Sequence, residues 1–134
     1  MPREIMKVLI IDDNPEMREM MRSFLPKPFV AVCECEDGFD ALGYYQSFLP
    51  DWVLMDWKMK QMDGITATRQ IIGSFPEAKI VLVTQHDDSE LRAAALEAGA
   101  CGFVSKDELI ELRGFFPHGF KNEGDGIQFV KTGK

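Results

Sequence analysis

The sequence predicts an α/β domain in which five parallel strands form one doubly wound sheet with helices on both faces. Five short apolar runs alternate along the chain with segments whose apolar residues recur at helical spacing. The runs are apolar at successive positions, which is typical of strands buried on both faces of a parallel sheet. Parallel strands joined by helices form right-handed crossovers, which place helices on the two faces of the sheet.

Length and charge restrict the class of protein. A chain of 134 residues is expected to form one domain that buries roughly 65–70% of its unfolded surface. A net charge of −7 argues against nucleic-acid binding by this chain, because phosphate contacts need clustered Lys and Arg. No apolar run approaches the ~20 residues of a membrane span, and the charged first residues do not form a signal peptide. We therefore expect a cytoplasmic protein with no membrane partner.

The three cysteines agree with a reducing compartment. Cys33, Cys35 and Cys101 are too few to indicate a disulfide framework. Cys33 and Cys35 share one face of a predicted strand. Because no second pair of Cys or His residues accompanies them, we interpret both as core residues and not as metal ligands.

The first strand and helix have clear boundaries. Met6–Ile11 is an apolar run, and Asn14 and Pro15 are suited to be the N-cap and first residue of the helix that follows. The apolar residues of this helix are Met17, Met20, Met21, Phe24 and Leu25. Pro26 and Pro28 are expected to end it.

The remaining elements follow in the same alternation. The other predicted strands are Phe29–Cys35, Val53–Asp56, Lys79–Thr84 and Cys101–Val104. The other helices have their apolar residues within Phe39–Phe48, Ile65–Ile72, Ser89–Ala98 and Lys106–Arg113. Asp37–Gly38 forms a turn, Gly64 supplies a flexible turn before the third helix, and Gly99 ends the fourth.

Polar side chains stand where three strands end. Asp12 and Asp13 follow the first strand, Asp56 ends the third, and Thr84 ends the fourth. An unpaired charge in the middle of a buried strand is costly, so the carboxylates must lie at the carboxyl edge of the sheet. Open α/β sheets bind their ligands at that edge. The sequence therefore predicts a site there.

Four motifs in this order resemble the receiver domains of two-component response regulators, the CheY-like family. They are Val8–Asp13, Val53–Asp56 with Met59 and Asp63–Gly64, Val83–Thr84, and Gly99–Lys106. The resemblance implies a flavodoxin-like fold with strand order 2-1-3-4-5, in agreement with the predicted class. We assign residues 5–113 to the receiver domain and residues 114–134 to a Gly- and Phe-rich tail without a separate output domain.

The resemblance also implies a phosphoacceptor site. Asp56 corresponds to the residue that takes a phosphoryl group from a sensor histidine kinase or phosphotransfer protein. Asp12 and Asp13 correspond to the acidic pair that, with Asp56 and the backbone carbonyl of Lys58, holds Mg²⁺, for which Mn²⁺ could substitute. Clustered carboxylates repel one another, and Mg²⁺ prefers oxygen ligands. Such a domain signals, so we expect no enzyme activity beyond self-catalysed phosphotransfer and autodephosphorylation.

Three further residues correspond to the groups that stabilise and report the phosphoryl group. Lys106 would pair first with Asp56 and then with a phosphoryl oxygen. The Thr84 hydroxyl would bind another phosphoryl oxygen, and Phe103 would turn inward as Thr84 moves. Structural roles compete with these: the acidic pair could compensate a helix dipole, Thr84 could end its strand, and Phe103 could be core. A cation at a helix start opposes the dipole, which favours the functional role of Lys106.

Four positions are expected to modulate rates: Lys58, Lys60, Gln85 and His86. Lys60 stands where most receivers carry Pro. Because Pro restrains the backbone, its replacement by Lys predicts a more mobile loop. Gln85 stands where Ala or Gly is usual and should narrow access to the pocket. Lys58 and His86 are interpreted as solvent-exposed neighbours of the site.

Other functions compete with the phosphorylation switch. Lys60 and Gln85 favour a degenerate receiver that acts as a phosphorylation-independent binding scaffold, whereas the complete acidic site opposes it. A phosphatase of the haloacid-dehalogenase type would need an acid where Asn14 stands. Flavin binding would need a phosphate-cradling loop where Asp12 and Asp13 stand.

The output is expected to leave through a protein surface. In receivers this is commonly the face of the fourth helix, fifth strand and last helix, here Ser89–Ala98, Cys101–Val104 and Lys106–Arg113. Three aromatic residues follow this last helix: Phe115, Phe116 and Phe120. They could cover that face, join a homodimer or a downstream protein, or complete the domain's own core.

Overall fold

Five parallel strands form the sheet in this computed structural model, which describes residues 5–26, 30–85 and 88–116. The strands are β1 (Met6–Ile11), β2 (Val30–Cys35), β3 (Trp52–Asp56), β4 (Ile80–Thr84) and β5 (Gly102–Ser105). Their order is β2-β1-β3-β4-β5, and every neighbouring pair is parallel. The predicted fold class and strand order are confirmed; β1 has its predicted bounds, and the ends of the other strands differ from the predicted ones by at most one residue.

Helices cover both faces of the sheet. They are α1 (Pro15–Ser23), α2 (Ala41–Phe48), α3 (Gly64–Ser74) and α4 (Ser89–Ala98), and a 3₁₀ turn, Gly38–Asp40, precedes α2. The helices α2, α3 and α4 contribute buried residues to one core, and α1 packs over the other face with the C-terminal segment Lys106–Gly114. Cys35 is buried and Cys33 packs against the same core, so both are core residues as predicted.

Two helix predictions need correction. Helix α1 ends at Ser23, so Phe24 and Leu25 follow it, although both still pack into the core. The predicted last helix is a 3₁₀ segment with a kink at Glu108. In a 3₁₀ helix, side chains three residues apart lie on one side, and this is the spacing of Leu109 and Leu112, both buried.

The aromatic residues after this segment complete the core. Phe116 is 2% exposed, and its ring centroid lies 5.4 Å from that of Trp52 in an edge-on arrangement. The Phe115 ring lies 5.9 Å from Trp52 and packs so closely on Gly102 that a Cβ there would approach it to 2.5 Å. Of the alternatives that the sequence left open, Phe115 and Phe116 therefore complete the domain's own core, where they cover the amino ends of β3 and β5.

The rest of the tail, residues 117–134 with Phe120, lies outside the described residues. Among the described residues, every helix is too short or too polar to span a lipid bilayer.

Candidate functional site

A cavity of about 280 Å³ opens at the carboxyl edge of the sheet. It is lined by Asp12, Asp13, Asn14, Met17, Asp56, Lys58, Thr84, Gln85 and Lys106. The edge gathers these side chains because β1, β3 and β4 are neighbouring parallel strands that end side by side. Seven of the predicted site residues line this cavity.

Lys106 connects two of the carboxylates. Its Nζ lies 3.0 Å from Asp12 Oδ2 and 3.0 Å from Asp56 Oδ1. The chain turns at this point because the Ser105 side chain at the end of β5 accepts a hydrogen bond from the Asp107 backbone N–H. The two ion pairs place the ammonium group between Asp12 and Asp56.

The carboxylates suit a hard divalent cation. Asp12, Asp13 and Asp56 each offer an oxygen, and these atoms lie within 4.8 Å of one another. Asp12 Oδ1 accepts a hydrogen bond from the Asn14 N–H at 2.9 Å. Asp12 Oδ2 is buried and accepts no hydrogen bond of favourable geometry from the described residues, although Lys106 Nζ is near enough for an ion pair. A buried oxygen with free bonding capacity and two carboxylates beside it fit the ligand preference of Mg²⁺.

Burial and crowding change the acidity of the site. Burial raises the pKa of Asp56 to about 6, the charge of Asp12 adds to this, and Lys106 opposes it. Burial lowers the pKa of Lys106, but the hydrogen bond and charge of Asp56, together with Asp12, outweigh this and raise it. One ammonium group shared by two buried carboxylates keeps its own proton without fully compensating them.

The loop after β1 is fixed by its own residues and by one distant contact. Asn14 Oδ1 accepts from the N–H groups of Glu16 and Met17, which confirms the predicted N-cap. Arg18 donates from its guanidinium to the Asp12 carbonyl at 2.6 Å and to Glu34 Oε1 at 2.7 Å. The contribution of Arg18 was not predicted, because its partner on β2 is distant in the sequence.

The loop after β3 depends on a close backbone approach. The Gly64 N–H donates to the Trp57 carbonyl at 2.7 Å, and a Cβ at Gly64 would lie 1.9 Å from the Asp56 carbonyl oxygen. Gly64 is therefore needed for space and not, as predicted, for flexibility. Asp37, which was predicted only as part of a turn, also contacts this loop: its side chain accepts a hydrogen bond from the Gln61 N–H.

The other predicted residues have different surroundings. Lys60 is exposed and does not line the cavity. Lys58 lines it with an exposed side chain, whose Nζ lies 5.9 Å from the Trp57 ring centroid. Phe103 is buried in the core, and the Arg92 guanidinium carbon lies 4.5 Å from its ring centroid. His86 lies outside the described residues.

A five-stranded sheet in this order, with an acidic cluster and a lysine at its carboxyl edge, defines a receiver-type α/β domain. Residues 8–113 match the response regulator receiver domain family. The chain therefore belongs to the response regulator receiver domains of two-component systems, as its sequence motifs predicted.

Relatives of known identity agree with this assignment. The chain is 36% identical over 100 residues to the chemotaxis protein CheY of Halobacterium salinarum, covering 75% of this chain and 83% of CheY. It is 34% identical over 111 residues to the transcriptional regulatory protein DegU of Brevibacillus brevis, covering 78% of this chain and 47% of DegU. The chain thus spans about half the length of that transcriptional regulator.

Two solved structures show the same architecture. A LuxR-family two-component response regulator from Aurantimonas sp. SI85-9A1 is 34% identical, with a TM-score of 0.77 over 84% of this chain and 82% of that one. The signal receiver domain of the putative response regulator NarL from Mycobacterium tuberculosis is 31% identical, with a TM-score of 0.74 over 83% and 94%.

Proposed function

We propose that this receiver domain accepts a phosphoryl group on Asp56 in the presence of Mg²⁺ and thereby switches a protein-interaction surface. The observation that carries this proposal is the arrangement at the cavity: Asp56 Oδ1 lies 3.0 Å from Lys106 Nζ, and the oxygens of Asp12 and Asp13 lie within 4.8 Å of Asp56. A nucleophilic carboxylate, a cation-binding acidic pair and an ammonium group within reach of both are the parts that phosphoryl transfer needs.

The donor would be a phosphohistidine of a sensor histidine kinase or of a phosphotransfer protein. An ionised oxygen of Asp56 attacks the phosphorus of a phosphohistidine whose other ring nitrogen is protonated. The phosphorus–nitrogen bond breaks, its electron pair stays on that nitrogen, and the histidine leaves as neutral imidazole. The attacking oxygen must be ionised. Burial and the charge of Asp12 raise the pKa of Asp56 to about 6 in the metal-free site, and a bound cation would favour the ionised form. Lys106 then transfers its contact from the Asp56 carboxylate to a phosphoryl oxygen.

Asp12, Asp13, Asp56 and the Lys58 carbonyl would hold the cation. When bound, Mg²⁺ would supply charge neutralisation for the carboxylates and for the incoming phosphoryl oxygens. The Thr84 side chain, 1% exposed at the end of β4, would donate its hydroxyl proton to a phosphoryl oxygen. Phe103, on the neighbouring strand β5, would transmit that movement to the face formed by α4, β5 and the C-terminal segment.

This role is signalling without substrate turnover, and we expect it in the cytoplasm. A downstream protein, or a second copy of the chain, would bind the switched face.

Mass spectrometry of the intact protein tests the proposal. Incubation with acetyl phosphate and Mg²⁺ should add one phosphate to the wild-type protein, and a chelator should prevent the gain. Asp56→Asn should abolish labelling. Asp51→Asn, an aspartate variant at the opposite edge of the sheet, should label like the wild type. Labelling of Asp56→Asn at the wild-type rate would contradict the assignment.

A phosphorylation-independent binding scaffold is the second candidate, because Gln85 borders the cavity and can restrict access to it. It would be favoured if neither a small phosphodonor nor a phosphohistidine donor increased the mass of the wild-type protein.

A further inference from the structure

The loop between β3 and α3, residues 57–63, is tied to the loop between β2 and α2 by one buried carboxylate. Asp37 is 8% exposed, and both of its oxygens accept hydrogen bonds. Oδ1 accepts from the Phe39 N–H at 2.8 Å, within its own loop. Oδ2 accepts from the Gln61 N–H at 2.9 Å, 24 residues further along the chain. Charged acceptors give stronger hydrogen bonds than neutral ones, so this contact holds the second loop firmly.

The neighbouring glycine brings the two backbones together. A Cβ at Gly38 would lie 2.6 Å from the Met62 carbonyl oxygen and 3.3 Å from the Met59 side chain. A side chain at this position would push the loop after β3 away from the loop after β2. Asp37 and Gly38 thus hold adjacent parts of one loop, at Gln61 and Met62.

A further hydrogen bond joins the two ends of the loop. The Gly64 N–H is bonded to the Trp57 carbonyl at 2.7 Å. Between the ends, Asp37 accepts the hydrogen bond of the Gln61 N–H, and Lys58 of the same loop lines the acidic cavity. Asp37 itself does not line the cavity. Any influence it has on the site must pass through the loop backbone.

We propose that Asp37 is a positioning residue for the cation site: by holding Gln61, it fixes the loop that presents the Lys58 carbonyl. This inference rests on the proposed function, in which that carbonyl and the three carboxylates hold Mg²⁺. A backbone ligand has no side chain of its own to adjust, so its placement depends on the anchoring of its loop.

Asp51 provides a matched control. Its Oδ2 accepts a hydrogen bond from the Lys7 N–H at 2.8 Å and joins segments 44 residues apart. This is the same kind of long-range carboxylate-to-backbone bond, but it lies at the amino edge of the sheet. Asp51 is exposed, so Asp51→Ala removes a long-range bond of this kind without touching the loop after β3 and without emptying a buried position.

The test is calorimetric titration of the full chain with Mg²⁺ alone, combined with amide hydrogen exchange. Asp37→Ala should weaken Mg²⁺ binding about tenfold, and Asp51→Ala by less than about twofold, since partners that orient metal ligands affect affinity on this scale. Exchange at the Gln61 amide should accelerate in Asp37→Ala and remain unchanged in Asp51→Ala. Asp37→Asn keeps one acceptor oxygen and should give an intermediate affinity.

Gly38→Ala displaces the same loop by another route and should also weaken Mg²⁺ binding. If Asp37→Ala fails to fold, Asp37→Asn and Gly38→Ala carry the comparison. Wild-type Mg²⁺ affinity in these variants, despite faster exchange at Gln61, would overturn the positioning role and leave the proposed function intact. Equal loss of Mg²⁺ affinity in Asp37→Ala and Asp51→Ala would also overturn the positioning role, because it would indicate a general loss of stability. A wild-type protein that binds no Mg²⁺ would overturn both proposals together.

Discussion

The two edges of the sheet differ in the side chains that they bury, which are charged at the carboxyl edge and aromatic at the amino edge. At the carboxyl edge, Asp12 and Asp56 are buried around one lysine, and the pKa of Asp56 is raised to about 6. At the amino edge of β3, Trp52 packs edge-on against Phe115 and Phe116. The same strand, β3, supplies both Trp52 and Asp56.

This difference separates stability from chemistry. Burial of aromatic residues stabilises the folded state by about 25 cal/mol per Å² of apolar surface removed from water. Buried carboxylates lose solvation, and an opposite charge compensates them only in part. The amino edge therefore stabilises the fold. At the carboxyl edge the buried carboxylates have an unfavourable electrostatic free energy, which a cation or a proton would lower.

The largest expected effect is at the apolar edge. Phe116→Ala should lower the free energy of unfolding by about 3–5 kcal/mol, as is usual for truncation of a buried phenylalanine. Phe39→Ala, which alters a side chain that is 62% exposed, should change stability by no more than about 0.5 kcal/mol. Urea denaturation measures both. Similar values for the two variants would show that the aromatic cover is not part of the core.

The charged edge should respond to pH. The folded-state pKa of Asp56, about 6, lies above its ordinary value of 3.8, so its stabilising contribution is complete below the ordinary value and is lost as the pH rises through 6. A shift of this size corresponds to about 3 kcal/mol.

Asp56→Asn removes this titration. At pH 8 the variant should be more stable than the wild type by up to about 3 kcal/mol, because the raised pKa already includes the opposing effect of Lys106. The difference should shrink as the pH falls to 4. Denaturation curves at several pH values measure it, and a difference independent of pH would contradict the electrostatic explanation.

Mg²⁺ should stabilise the charged edge alone. A cation that binds only the folded state at a hundredfold excess over its dissociation constant adds about 2.7 kcal/mol. Phe116→Ala should keep this increment, since distant and unconnected sites contribute additively. Thermal denaturation with and without Mg²⁺ provides the measurement. An increment lost in Phe116→Ala would show that the two edges are coupled.

The smallest effect is expected at the rim of the cavity. Gln85→Ala should change the formation rate or the half-life of the phosphorylated protein severalfold, because Gln85 lines the cavity through which donor and water approach. Gln70→Ala, a variant of an exposed glutamine on α3 that does not line the cavity, serves as the control. Phosphate release followed over time separates the two steps. If Gln85→Ala changed neither the formation rate nor the half-life of the phosphorylated protein, a gating role of Gln85 would be excluded.

Local sequence patterns predicted the elements and the positions of the reactive groups. Continuous apolar runs identified the strands, since a strand buried on both faces excludes polar side chains. Asn14 predicted the start of α1, and Gly99, with φ of 110°, predicted the end of α4. The carboxylates Asp12 and Asp56 were found because a charge next to a buried strand must lie at its end. These are local signals that a short stretch of chain contains in full.

Contacts between residues distant in the sequence could not be predicted in this way. The bonds from Asp37 to Gln61 and from Arg18 to the Asp12 carbonyl have no local signal, because each depends on where the sheet places another segment. Phe116 was equally open from sequence: an aromatic residue after a glycine suits an interface as well as a core. Trp52 on β3 decided it by offering an apolar surface at the amino edge. Side-chain chemistry can be predicted from local sequence, but the partner of each side chain depends on the packing of the whole domain.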